Sequence, residues 1–220
     1  MSILDIIKPI KLVRGSHTDI ATTGQGCFMN VAGYLNGDAQ ITDESECVCV
    51  TIMPIAVLLN DMATQEQLVR LLPFIERAMG SATTDGKKLR RRTDAIVSFA
   101  KGEYEKAYKY VDDVRDPELH PRIFGFLRGA HERAERASSF AKLCESSGDY
   151  YATIIDVNAR CIFAAVTMAA CYAERAANSP EFSAAQFERG IALMDEICPA
   201  AQETTEATID RAKKLMELTA

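Results

Sequence analysis

Apolar residues recur every three or four positions through most of this chain, the spacing that lines one face of an α-helix, and polar breaks between the runs predict where helices stop. From Asp85 the period is clearest. Leu89, Ala95, Ile96, Phe99 and Ala100 line one face, and Tyr104, Ala107, Tyr108 and Val111 the next, with Gly102 between them as a joint. Pro117 and Pro121 bracket a connection, and Pro121 suits the first turn of a helix to about Ser146. Gly148 ends that helix before a longer one over Tyr150 to Ala177. Within it, Cys161 to Ala173 is apolar nearly all round and is expected to be the central, most buried member of a bundle. Ser183 can cap a helix to about Cys198, and after Pro199 the last helix is expected over Glu203 to Leu218.

The first third is less regular. Ile3, Ile6, Ile7 and Ile10 form an apolar stripe that Pro9 interrupts, which leaves helix and strand both open and reads as an irregular arm. A helix is expected from Gln25 or Gly26 to Gly37, a natural C-terminal cap, followed by a loop over Asp38 to Glu46. Cys47 to Asp61 mixes strand-forming Val48, Val50 and Ile52 with an apolar run too long for one strand. A helix from about Thr51, with Pro54 in its first turn, reconciles the two. Thr64 and Gln67 form a capping box for the next helix, Pro73 kinks or divides it, and Gly80 closes it.

These elements predict an all-α fold, an antiparallel helical bundle or helix-pair array over residues 63–220, with residues 1–62 as an irregular N-terminal cap packed on it. Gly102-Glu103-Tyr104 and Gly148-Asp149-Tyr150 invite a helical-repeat reading, but the period of about 34 residues that a tetratricopeptide array requires is absent. The Glu76-Arg77-Ala78 triplet, which recurs later in the chain, reads as solvated helix surface.

Composition narrows the function classes. At 220 residues and 48% hydrophobic the chain can bury a core without staples, and a net charge of -6 provides no general field for nucleic acid or acidic membrane. Pro9 and the placement of the basic residues in Met1 to Arg14 argue against a cleavable signal, and Cys161 to Ala173 falls short of the roughly 20 residues that cross a bilayer, so a cytoplasmic protein is expected. Seven cysteines without a CxxC predict reduced thiols rather than a disulfide framework.

Chemistry, if present, is expected in the first third. Gly24-Gln25-Gly26 before a helix could offer backbone N–H groups to an anion, although neither the nucleoside-triphosphate loop nor the dinucleotide fingerprint is satisfied. Cys47 and Cys49 with Cys27 and His17 could make a soft metal site only if the stretch is extended, since residues two apart diverge on a helix; buried thiols are the expectation, with no metal and no cofactor. Asp43, Glu44, Glu46 and Asp61 offer acids and bases for Cys27 or His17, and Asn30 and Asn60 complete the candidate ligand-binding set of Gly24, Gly26, Cys27, Asn30, Asp43, Asn60 and Asp61. Lys87, Lys88, Arg90, Arg91 and Arg92 are the only basic cluster and the candidates for gripping nucleic-acid phosphates, without the interleaved aromatics of a stacking platform. His120 and His131 stand without a ligand-spaced partner.

Residues 15 to 92 resemble a family of uncharacterised proteins of bacteria and their phages. The resemblance lies in Gly26-Cys27-Phe28-Met29, Tyr34-Leu35-Asn36-Gly37, Thr42-Asp43, Cys47-Val48-Cys49 and Leu59-Asn60-Asp61. It implies a mobile-DNA setting and no specific activity. The expected function is a non-enzymatic interaction protein, a phage or prophage factor engaging a host or viral protein and able to form a homo-oligomer. An enzyme or small-ligand sensor with a pocket in the N-terminal cap, and a nucleic-acid binder using residues 87–92, are the competing classes.

Overall fold

The structure, a computed structural model, describes residues 3–15, 17, 19–114, 132, 181–201 and 203–219. The protein is all-α: among the described residues, β pairing is limited to isolated bridges, Leu12 with Gly26 and Val48 with Met79. The helices are α1 (Ile3–Ile7), α2 (Ile20–Thr23), α3 (Phe28–Asn36), α4 (Met53–Met62), α5 (Gln65–Leu68), α6 (Leu72–Ala78), α7 (Gly86–Val114), α8 (Glu181–Ile197) and α9 (Glu206–Thr219), with a 3-10 turn over Val69–Leu71. They fall into two compact units, one of Met1–Thr83 with Met194–Ala220 and one of Thr84–Leu193, a division different from a cut at residue 62.

In the first unit α3 is the centre. It packs against α2, α4, α6 and α9, while α1 lies on α6 and α9. The reason is compositional: Phe28, Met29, Val31, Ala32 and Leu35 are all fully buried, and each large side chain contributes about 1.5–3 kcal/mol by leaving water. A helix covered on every side needs small residues where neighbours approach, and Ala32 and Gly33 supply them.

The ends of these short helices follow local chemistry. Pro54 and Pro73 occupy the first turns of α4 and α6, where a missing N–H costs nothing, and Pro73 divides the run after Thr64 into α5, the 3-10 turn and α6. The Thr64–Gln67 capping box forms as the spacing predicts, with Thr64 N donating to Gln67 Oε1 at 2.8 Å and Gln67 N to Thr64 Oγ1 at 3.3 Å. The arm before Gly15 resolves into a single helical turn, α1, followed by an extended stretch in which Ile10 and Leu12 are buried. The last helix starts at Glu206, after Thr205, whose hydroxyl accepts from Thr208 N at 3.2 Å.

In the second unit α7 runs for 29 residues. Gly102 is therefore inside a helix and is not a joint. Helix propensity there is set by the flanking residues, and glycine weakens a long helix without breaking it. Asp85 receives Lys87 N at 2.9 Å on its carboxylate, and Leu89 N donates to its carbonyl, so it is the residue that opens α7. α8 begins at Glu181, ahead of the Ser183 cap expected from the sequence. The expected central helix around Cys161 to Ala173, its neighbours from Pro117 to Ala177, and His120 and His131 lie outside the described residues.

Candidate functional site

The residues that stood out in the first third converge on the amino end of α3. Cys27 is its N-cap, with extended backbone, and the Asn30 side chain reaches back to receive Cys27 N at 3.1 Å while the Cys27 side chain accepts the Asn30 N–H. Asn30 Oδ1 also receives His17 N at 2.7 Å, and Asn30 Nδ2 donates to Thr42 O at 3.1 Å. Asn60, from α4, receives Phe28 N on Oδ1 at 3.1 Å and donates through Nδ2 to Val13 O at 2.9 Å. Both asparagines are completely buried. Asp61 Oδ1 receives Gly15 N at 3.1 Å, and Gln65 Nε2 donates to Leu12 O at 3.3 Å.

Asn30, Asn60 and Asp61 turn their side-chain polar atoms onto the main chain, while Asp43 faces the Cys27 sulfur. Three of the amino-terminal N–H groups of α3 are taken: Phe28 N by Asn60, Asn30 N by the Cys27 sulfur, and Val31 N by Cys27 O. An anion at this helix start would have to displace those partners.

The two glycines have packing roles. Gly24 closes α2 in the left-handed region at φ 68°, donating to Ile20 O. Gly26 is buried, and a Cβ there would stand 2.8 Å from Ile20 Cδ1 and 3.0 Å from Asn30 Cβ.

Burial also decides the thiol chemistry. Cys27 Sγ is 3.6 Å from Asp43 Oδ1, and the loss of water around it, opposed by main-chain N–H donation from Asn30 and reinforced by the Asp43 charge, pushes the thiol up to about 11. A nucleophile needs the opposite shift. Cys47 is also raised, first by burial, and its sulfur lies 3.2 Å from Ser45 Oγ, which in turn donates to Asp38 Oδ2 at 2.5 Å. Cys49 faces elsewhere: its sulfur is 3.1 Å from Thr51 Oγ1 and its N–H donates to Ser81 Oγ at 2.8 Å. Among the described residues, no three His, Cys, Asp or Glu side chains are placed to share a metal ion.

The basic cluster splits by face. Lys87, Lys88 and Arg91 are exposed, Arg90 pairs with Asp94 at 3.6 Å, and Arg92 is buried.

No protein-family model, curated protein or solved structure matches this chain.

Three arginines, Arg77 among them, close helix ends. Arg14 Nε donates to Ala63 O at 2.8 Å, at the end of α4, and its Nη2 bonds the same carbonyl. Arg211 Nε donates to Leu35 O at 2.7 Å and Nη2 to Asn36 O at 3.0 Å, at the end of α3. Arg77 donates to Asp195 O at 3.0 Å, Cys198 O at 3.2 Å and Pro199 O at 3.0 Å, around the end of α8, and pairs with Asp195 Oδ1 at 2.6 Å. The guanidinium also lies over the Phe74 ring at 5.1 Å. The Glu76-Arg77-Ala78 triplet is thus a tie between elements and not solvated surface, since Glu76 Oε1 receives Ile3 N at 3.4 Å and Thr204 Oγ1 at 3.2 Å, and Ala78 is fully buried. A guanidinium at exposed carbonyls is favoured because it supplies several donors and opposes the negative end of the helix dipole. Nothing in the local sequence distinguishes these arginines from surface ones.

Among the described residues, no helix is long and apolar enough to cross a membrane.

Proposed function

We propose that this chain is a non-enzymatic helical interaction protein of phage or prophage setting, which engages a host or viral protein. The observation that supports this reading is where the polar side chains of the α3 assembly point. Asn30, Asn60 and Asp61 bond the main chain of their own unit, and the thiol among them is held protonated. A reaction centre needs side chains with open hydrogen-bonding capacity aimed at a substrate and ionisations tuned toward neutrality. Here the same residue types act as a frame, which leaves surfaces as the means of action. The phage setting rests on the resemblance of residues 15 to 92, and self-association belongs to the same reading.

The test is purification of the full chain from its natural host after cross-linking, with mass and small-molecule content determined. Recovery of one protein, or a second copy, in stoichiometric amount with cross-links from Lys87, Lys88 or Lys106 is the expected result. A stoichiometric bound metabolite with no protein in equal amount would reject it.

A second reading, polyanion binding, is favoured by the exposure of Lys87, Lys88 and Arg91 within an arc of roughly 100° at the amino end of α7, where the helix dipole adds positive potential. Its signature is an affinity for duplex or single-stranded nucleic acid that falls steeply with salt and weakens in an Arg91→Ala, Lys87→Ala variant. Binding insensitive to both removes it.

A further inference from the structure

Gln186, on α8, sits in a place unfavourable to an amide. The residue is 2% exposed, Oε1 and Nε2 each show less than 1 Å² to solvent, and among the described residues no hydrogen bond reaches either atom. Less than 1 Å² leaves no room for a water molecule against the amide, so neither solvent nor a small ligand satisfies it in this arrangement. A donor and an acceptor are both stripped of water without replacement.

One turn further along α8, Arg189 makes the opposite kind of contact. Its Nε and Nη2 donate to the two oxygens of Glu103 on α7 at 2.5 and 2.7 Å, and Lys106 Nζ adds a bond to Oε1 at 3.2 Å. Glu103 is 1% exposed, so separating it from Arg189 would leave a buried carboxylate with Lys106 as its one remaining cation among the described residues. Residues three apart share a helix face, which puts the disfavoured amide and the charged fork side by side on the part of α8 that meets α7.

We infer that the Glu103–Arg189 fork is a pivot holding α8 on α7, and that the turn of α8 around Gln186 opens reversibly about it. Opening hydrates the amide and uncovers the Phe187 ring, which is 1% exposed in the closed arrangement.

Hydrogen exchange on the full chain tests the opening without any partner. In Gln186→Met and Gln186→Leu, which keep bulk and remove the polar atoms, the amides of residues 186–190 should exchange on the order of tenfold more slowly than in the wild type, with a melting midpoint a few degrees higher. Exchange as fast as or faster than wild type in both variants would overturn the proposal, because the amide would then be satisfied when closed. Glu103→Gln should accelerate exchange along all of residues 184–193; no acceleration removes the pivot.

Discussion

The guanidinium of Arg211 lies against Gly37, so close that a Cβ on the glycine would stand 3.0 Å from Nη1 and 3.1 Å from Cζ. Gly37 is at φ 85°, in the left-handed region, where it ends α3 by returning its N–H to Gly33 O and Tyr34 O. Arg211 takes the carbonyls of Leu35 and Asn36. The two residues together close the carboxyl end of the central helix.

Replacing Arg211 with Ala should destabilise the first unit by about 1–3 kcal/mol, the cost of leaving those carbonyls without their donors. Lys cannot reproduce the fork and should recover only part of the loss. Gly37→Ala should cost about 1–2 kcal/mol for the backbone conformation alone, and more while Arg211 is present. Urea denaturation of the single and double variants checks this, and simple additivity would show that the two residues do not share the site.

Asn60→Ala should cost about 2–4 kcal/mol, since it strands Phe28 N and Val13 O in a buried place. Asp61→Ala, which removes one exposed bond to Gly15 N, should cost less than about 1 kcal/mol. Equal effects of the two in a thermal melt would contradict the framing role given to Asn60.

Gly102→Ala should stabilise the second unit by about 0.5–1 kcal/mol. Among the described residues, a Cβ at this position meets only Lys106 Nζ, at the ordinary distance of 3.8 Å, and the helix runs through it. A lowered melting temperature would mean that α7 bends at Gly102 in solution.

The Cys27 thiol gives a pH prediction. Its value rises from 9.0 to about 11 on folding, so the native state keeps its proton where the unfolded state loses it. The contribution is fully present below pH about 9 and is lost as pH rises through about 11, a difference on the order of 2–3 kcal/mol. The stability of Cys27→Ser, measured between pH 8 and pH 11 by denaturant titration, should fall less steeply than that of the wild type. At neutral pH, iodoacetamide should label Cys27 only at the rate of unfolding.

Much of the helical plan was legible because its cues are local. Gly37, Pro54, Pro73 and the Thr64–Gln67 pair act within one turn of their own positions, and the structure uses each as the spacing predicts. Asn30, Asn60 and Cys27 were legible as special but not as framing, since an asparagine that binds main chain and one that binds a ligand look alike in a sequence. Arg77 was read as surface and Arg211 carried no signal, because their carbonyl partners are distant along the chain. Gly102 misled for a different reason: a glycine between two apolar runs signals a break only when the flanking residues do not carry the helix across it.

Arg211 and Leu35 are separated by 176 positions. During synthesis, the ribosome must deliver all of Thr84–Leu193 before α9 can reach the segment it covers. Until then the greasy side of α3 waits half dressed, a period in which a chaperone or a neighbouring nascent chain would find it.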